Sequence, residues 1–179
     1  MIAVTGNGRT GTSLQMQTLI HLDVPIKGKK FLAEFGPREF NEKGFYNLPA
    51  SETLTGIEGS FPGIGIKLDW ISLCNTDPKN IERAIFCKRN KKDAIKSSVE
   101  VLDNVGYKYE KDVLADGYDI AKRYINEYLT ENGIPFIEIN YEDMIKKTEK
   151  TIERIASFLG VQANLDNAIN NVERGYYGC

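Results

Sequence analysis

A single histidine, a single tryptophan and three cysteines with no C-x-x-C pair leave this chain little of the usual equipment for metal sites or cystine frameworks. Cys74, Cys87 and Cys179 are scattered and odd in number, so neither zinc nor a disulfide is expected, and Cys87 reads as a small core residue in a strand. No apolar run approaches the ~20 residues of a spanning helix. The first strand starts at Ile2, which leaves no room for a signal peptide. A reduced, cytoplasmic protein without membrane contact is the expectation. Excess positive charge is also missing. Lys and Arg number 23 against 25 Asp and Glu, a net charge of −2, which removes the case for a nucleic-acid partner and requires any functional cation to act locally. No repeat, low-complexity segment or compositional break divides the 179 residues, so the chain reads as one domain, 1–179, long enough for a sizeable core.

What the chain does have is concentrated near its start. Ile2 to Val4 is a short apolar run that reads as a buried strand, Gly6, Gly8 and Gly11 space a loop, and Leu14, Leu19, Ile20 and Leu22 come next at roughly helical spacing. Strand, glycine loop and helix together aim backbone N–H groups and a helix N-terminus at an anion. Thr10, Thr12 and Ser13 can add hydroxyl donors, and Arg9 adds a charged fork suited to phosphate or sulfate oxygens. The nucleoside-triphosphate version of this loop, G-x-x-x-x-G-K-[ST], would need a lysine where Thr12 stands, although Gly6, Gly11 and Ser13 are in place. That substitution counts against a triphosphatase. The cation lies inside the loop instead, at Arg9.

Farther along, residues 25–63 carry Pro25, Pro37, Pro49 and Pro62 and little periodicity, and read as a loop-rich insertion with a short helix around Ala50–Leu54. Its aromatics, Phe31, Phe35, Phe40, Phe45 and Tyr46, suggest a partly apolar or ring-bearing ligand. Gly65 to Trp70 reads as a strand, Ile71–Asn80 as a loop with a turn at Asp77-Pro78, and Arg83 to Arg89 as a buried strand. A helix entered through Asn90 comes next, then a long one from about Glu110 to Asn132 with Val113, Leu114, Tyr118, Ala121, Ile125 and Leu129 as its apolar positions and Gly133 as its stop. Ile134 to Asn140 is a strand, Thr148 to Leu159 a helix and Ala163 to Glu173 a last helix. The alternation predicts an α/β protein with a parallel sheet covered by helices on both faces.

Three segments resemble the sulfotransferase family. Thr5-Gly6-Asn7-Gly8-Arg9-Thr10-Gly11-Thr12-Ser13 looks like its 5′-phosphosulfate loop, G-x-x-R-[ST]-G-[ST]-[ST]. Arg89 to Ser97 is similar to R-[ND]-P-x-D-x-x-x-S, with Lys91 replacing the proline. Tyr141-Glu142-Asp143-Met144 through Phe158-Leu159-Gly160 resembles Y-E-D-[LM] and the F-[LV]-G ending. Looser matches are Gly65 to Asp69, like W-K-D-P of a bacterial branch, and Asn41 to Asn47, like N-P-K-G-Y-[FW]-E with Asn47 in place of the acid.

The resemblance implies a three-layer sandwich around a central parallel sheet, the P-loop NTPase-like sulfotransferase fold. It also implies transfer of a sulfuryl group from 3′-phosphoadenosine 5′-phosphosulfate (PAPS) to a hydroxyl or amine of a small-molecule or glycan acceptor. Gly8, Arg9, Thr10, Gly11, Thr12 and Ser13 would cradle the phosphosulfate, Arg89 and Ser97 the 3′-phosphate, and Tyr141 the adenine, with Glu142 and Asp143 as capping or scaffold residues. Arg9 is the candidate for stabilising the transferred group, Lys67 a second cation, and no metal is required. For the base, Asp69 is preferred over Glu42 and Glu34, while His21 does not inherit that role. An R-K-G-x-x-G-D segment near the C-terminus is missing, Arg174 to Gly178 being a faint echo. Two alternatives stay open: a nucleotide-binding protein of the same fold with weakened catalysis, and a P-loop small-molecule kinase. Homo-oligomerisation is left open as well.

Overall fold

The computed structural model describes residues 1–28, 55–104 and 106–173. Among them a five-stranded sheet runs in the order β2-β3-β1-β4-β5, with every pairing parallel. The strands are β1 (Ile2–Gly6), β2 (Ile26–Lys27), β3 (Gly65–Leu68), β4 (Arg83–Lys88) and β5 (Phe136–Asn140). The helices are α1 (Thr12–His21), α2 (Trp70–Asn75), α3 (Lys91–Asn104), α4 (Lys111–Glu131), α5 (Tyr141–Lys146), α6 (Thr148–Leu159) and α7 (Leu165–Glu173).

Side-chain alternation sorts the strands into two cores. Ile2 and Val4 of β1, Ile85 and Cys87 of β4 and Ile139 of β5 face α1, α6 and α7, joining Leu14, Leu19, Ile152 and Ile155. Ala3, Ile66, Leu68, Ala84 and Phe86 face the other way, onto Leu73 of α2 and Ile125 and Leu129 of α4. The result is the expected three-layer arrangement. Lys67 lies between Ile66 and Leu68 and opposite Val4, so alternation turns it toward the α1 face.

β1 is central, with β3 on one side and β4 on the other, and the chain reverses its direction of winding there. Clefts outside the C-terminal ends of strands at such a point are the usual ligand sites of open parallel sheets. The register sets Gly6 beside Cys87 and Thr5 beside Leu68, so the loop after β1 lies between the residues just past β3 and β4.

The structure corrects the sequence reading in four places. Trp70–Asn75, read as loop, is a helix nucleated by Asp69, whose carboxylate accepts from Ser72 N–H at 2.8 Å. Six residues are too few for apolar periodicity to register. The same brevity hid α5 and the two-residue β2 inside the 25–63 insertion. Val113, placed on the apolar face of the long helix, is 62% exposed, while Tyr118, Ala121, Ile125 and Leu129 are buried. The helix at Ala50–Leu54, the insertion aromatics, Glu34, Glu42 and Asn47, and the Arg174 segment lie outside the described residues.

Candidate functional site

The loop between β1 and α1 needs glycine for steric reasons. A Cβ on Gly6 would lie 2.5 Å from Thr10 Oγ1 and 2.6 Å from the Cys87 carbonyl oxygen, and one on Gly11 would lie 2.8 Å from the Tyr141 ring. The backbone turns through the left-handed region at Arg9 (φ 65°) and again at Gly11 (φ 91°). Thr10 Oγ1 donates to the Asn7 carbonyl at 2.6 Å, and the Gly8 N–H donates to Asn7 Oδ1 at 2.8 Å. Beyond Gly11 the helix begins with no side-chain cap, and its first internal bond runs from Gln15 N–H to the Gly11 carbonyl. An uncapped helix N-terminus behind a glycine loop presents its first amides to an incoming anion.

Three cations converge there from three strand ends. Arg9 reaches across to α3, where its Nε donates to Ser97 Oγ at 2.9 Å. Arg89, just past β4, donates from Nη1 to the Arg9 carbonyl at 3.3 Å, and its guanidinium carbon sits 4.5 Å from the Tyr141 ring centroid. Lys67 on β3 donates from Nζ to Ser13 Oγ at 3.1 Å. These bonds go to neutral hydroxyl and carbonyl groups, so none of them cancels charge. Burial, the largest influence, drives the Lys67 ammonium down to about 8, and the Arg9 guanidinium pushes the same way against the Cys87 and Asp69 side chains. Arg89 Nε is buried and makes no hydrogen bond. That is a donor held ready for an acceptor that no described residue supplies.

The structure therefore gathers Gly8, Arg9, Thr10, Gly11, Thr12, Ser13, Lys67, Arg89, Ser97 and Tyr141 at one edge of the sheet. Asp69 stands beside Lys67 at the end of β3, exposed, but its Oδ1 already accepts from Ser72 N–H and from Ser72 Oγ at 3.0 Å. His21 ends α1, at the far side from the loop. Among the described residues no group of three or more His, Cys, Asp or Glu could hold a metal ion.

Of the residues that hold the arginines, sequence reasoning missed Tyr118, which it read only as an apolar position, while Glu142 takes the capping or scaffold role expected of it. Tyr118 Oη donates to the Arg89 carbonyl at 2.5 Å, and Glu142 Oε1 accepts from Asn90 N–H at 2.8 Å, so α4 and α5 both grip the turn after β4. Gln15 was missed too. It is 2% exposed, its Nε2 has no partner, and it lines a small cavity with Thr10, Gly11, Cys87 and Tyr141. A polar residue four positions after Gly11, in a helix turn otherwise facing the core, was the available signal.

An all-parallel sheet with a glycine loop at its centre and cations at three strand ends defines an α/β protein of the doubly wound class. The sulfotransferase domain model matches residues 78–177, more than half of the chain, and the chain belongs to that family. The match takes in Arg89, Ser97 and Tyr141 but not the glycine loop. Solved structures with the same fold include mouse sulfotransferase SULT7A1 complexed with PAP, at 17% identity and TM-score 0.62, covering 96% of this chain and 64% of that one. A sulfotransferase from Alicyclobacillus acidocaldarius superposes at TM-score 0.58 and 18% identity, covering 90% of this chain and 81% of that one. The chain thus spans less than two thirds of the mouse protein. No curated protein matches it in sequence.

Proposed function

We propose that the protein is a PAPS-dependent sulfotransferase that moves a sulfuryl group to a hydroxyl or amine of a small-molecule or glycan acceptor and releases adenosine 3′,5′-bisphosphate. The observation that carries this reading is the convergence of Arg9, Lys67 and Arg89 on an uncapped glycine loop in a chain of this family. The residues present fit a ligand with two anionic ends. One end would meet the loop at Gly11 and the first turn of α1, with Thr10, Thr12 and Ser13 around it and Gly8, its N–H held by Asn7 Oδ1, at the rim. The other meets Ser97 and the unpartnered Nε of Arg89. Tyr141, already under the Arg89 guanidinium, offers its ring to the base. Bound PAPS supplies an activated sulfuryl group. Arg9 stabilises charge on the moving group, protonated Lys67 stabilises the phosphate oxygen left behind, and Asp69 accepts the acceptor's proton. The free thiols of Cys74 and Cys87 suit the reducing, cytoplasmic setting that we assign. Among the described residues no helix is long and apolar enough to cross a membrane.

Calorimetric titration tests the donor site directly. Adenosine 3′,5′-bisphosphate should bind more tightly than AMP. Arg89→Ala should cost the bisphosphate about 2 kcal/mol, or ~30-fold, while leaving AMP almost unaffected. Equal losses for both nucleotides would remove Arg89 from the 3′-phosphate, and a preference for magnesium-ATP would revive the kinase reading.

A second reading, a nucleotide-binding member of the fold with weakened catalysis, is favoured by the capping duty of Asp69. Asp69→Asn separates the two. Its amide oxygen can keep the Ser72 N–H, so stability should stay within about 1 kcal/mol of the parent. Loss of the base should slow transfer by ~10²- to 10⁴-fold. An unchanged turnover rate would rule Asp69 out as base.

A further inference from the structure

The long helix α4 carries a second apolar stripe that stays largely exposed. Its buried stripe, Tyr118, Ala121, Ile125 and Leu129, meets the sheet. At 100° per residue, Val113, Gly117, Ile120 and Tyr124 fall within a sector about 60° wide, displaced by roughly a third of a turn from that stripe. Val113 is 62% exposed, Ile120 42% and Tyr124 43%. Tyr124 is held upright by Trp70 of α2, whose ring stacks on it at 5.7 Å and 20°. At the centre of the stripe is Gly117, with nothing within 4 Å of where its Cβ would be. Glycine weakens a helix interior relative to alanine, and here no neighbour among the described residues requires it.

We propose that this stripe is a self-association surface on which a second copy of the chain packs its α4 antiparallel. One register satisfies three features at once. With Ile120 on the two-fold axis, residues whose numbers sum to about 240 face each other. Tyr124 of each copy then lies over the vacancy at Gly117 of the other, and Asp116 meets Arg123. Asp116 is exposed and has no partner among the described residues, while the Arg123 guanidinium lies 3.8 Å from Glu127 and 5.3 Å from the centroid of its neighbour Tyr124. The surface is therefore self-complementary in shape and in charge, which a two-fold dimer requires and an unrelated partner does not. From Val113 to Tyr124 it covers three turns, ~16 Å, smaller than a standard interface, so the dimer is weak and reversible. None of the residues involved belongs to the donor site, and the inference stands apart from the reaction assigned above.

Sedimentation velocity between about 1 and 300 µM tests it, the range in which a small interface associates. A shift from monomer to dimer mass is expected, with Ile120→Asp abolishing it and leaving the circular dichroism unchanged. Asp116→Arg and Arg123→Asp should each weaken association at least about tenfold, and the double swap should restore it. Gly117→Ala should raise the melting temperature yet weaken the dimer, the opposite of what a merely solvent-facing glycine gives. Monomer mass across the whole range, a dimer indifferent to Ile120→Asp, or a double swap no better than the single variants would each overturn the proposal.

Discussion

Removing the Arg9 side chain should lower transfer by ~10²- to 10³-fold, the usual loss when one preorganised donor to a developing charge is deleted. The expectation rests on position. Arg9 lies inside the loop rather than in the next helix, where Thr12 replaces the lysine of triphosphate-binding loops. Its guanidinium is therefore the cation that the loop itself provides. In the structure Nε already donates to Ser97 Oγ, so the same side chain joins the two ends of the site. Loss of activity must be separated from loss of fold, and the backbone supplies the means. Arg9 sits at φ 65°, a conformation that costs a residue with a Cβ roughly 1–2 kcal/mol. Arg9→Gly relieves that cost while Arg9→Ala retains it, so the glycine variant should be the more stable of the two and equally inactive. Arg9→Lys keeps the charge but not the fork, and should recover part of the rate. Urea denaturation and single-turnover transfer on all three would settle the role. Transfer within about threefold of the parent in Arg9→Gly would show that the charge is supplied elsewhere.

How much of this could be read in advance depended on sequence distance. Glycine loop, Arg89 with Ser97, and Tyr141 with its acidic neighbours are each local, and local spacing carries them. The Arg9–Ser97 hydrogen bond is not local, since it spans 88 positions. It exists because β1 and β4 are adjacent and in register, Gly6 beside Cys87, so that the segments leaving the two strands meet at the same edge. No periodicity in either segment reveals that adjacency. The fold class was legible because strand and helix alternate, and Ile125, Leu129, Ile152 and Ile155 at helical spacing are indeed core. α2 and α5, six residues each, were not, because a single turn and a half leaves no repeat to detect. Asp69 shows how such a gap affects function. Read as a strand-end carboxylate it was the base preferred over Glu42 and Glu34, whereas the unseen helix gives it a cap to hold.

Lys67, read as a second cation, is buried, and its burial leads to the second large effect. Alternation places it between Ile66 and Leu68 but on the opposite face, pointing at Ser13. Burial lowers its pKa from 10.5 in an open chain to about 8, so the folded state binds this proton less well than the unfolded state. Below about pH 8 both states are protonated and the folded protein bears the whole penalty, a difference of roughly 3 kcal/mol at 1.36 kcal/mol per pH unit. Between pH 8 and 10.5 the unfolded chain holds the extra proton, so stability rises with pH until the penalty disappears. Lys67→Met should therefore stabilise the protein by up to ~3 kcal/mol at neutral pH and abolish that rise, both visible in urea melts taken at about pH 7 and pH 10. Transfer should move the other way. With the ammonium gone, the leaving phosphate oxygen loses its partner and the rate should fall by ~10²-fold or more. In the parent, kcat/KM, which reports the free enzyme, should decline above about pH 8 as Lys67 loses its proton. A kcat/KM that instead rises through about pH 8 would make Lys67 the proton acceptor and return Asp69 to its cap. A Lys67→Met variant that is less stable than the parent would mean that the ammonium is not desolvated. A gain in stability together with a loss of transfer is the combination expected of a buried charge kept for its chemistry.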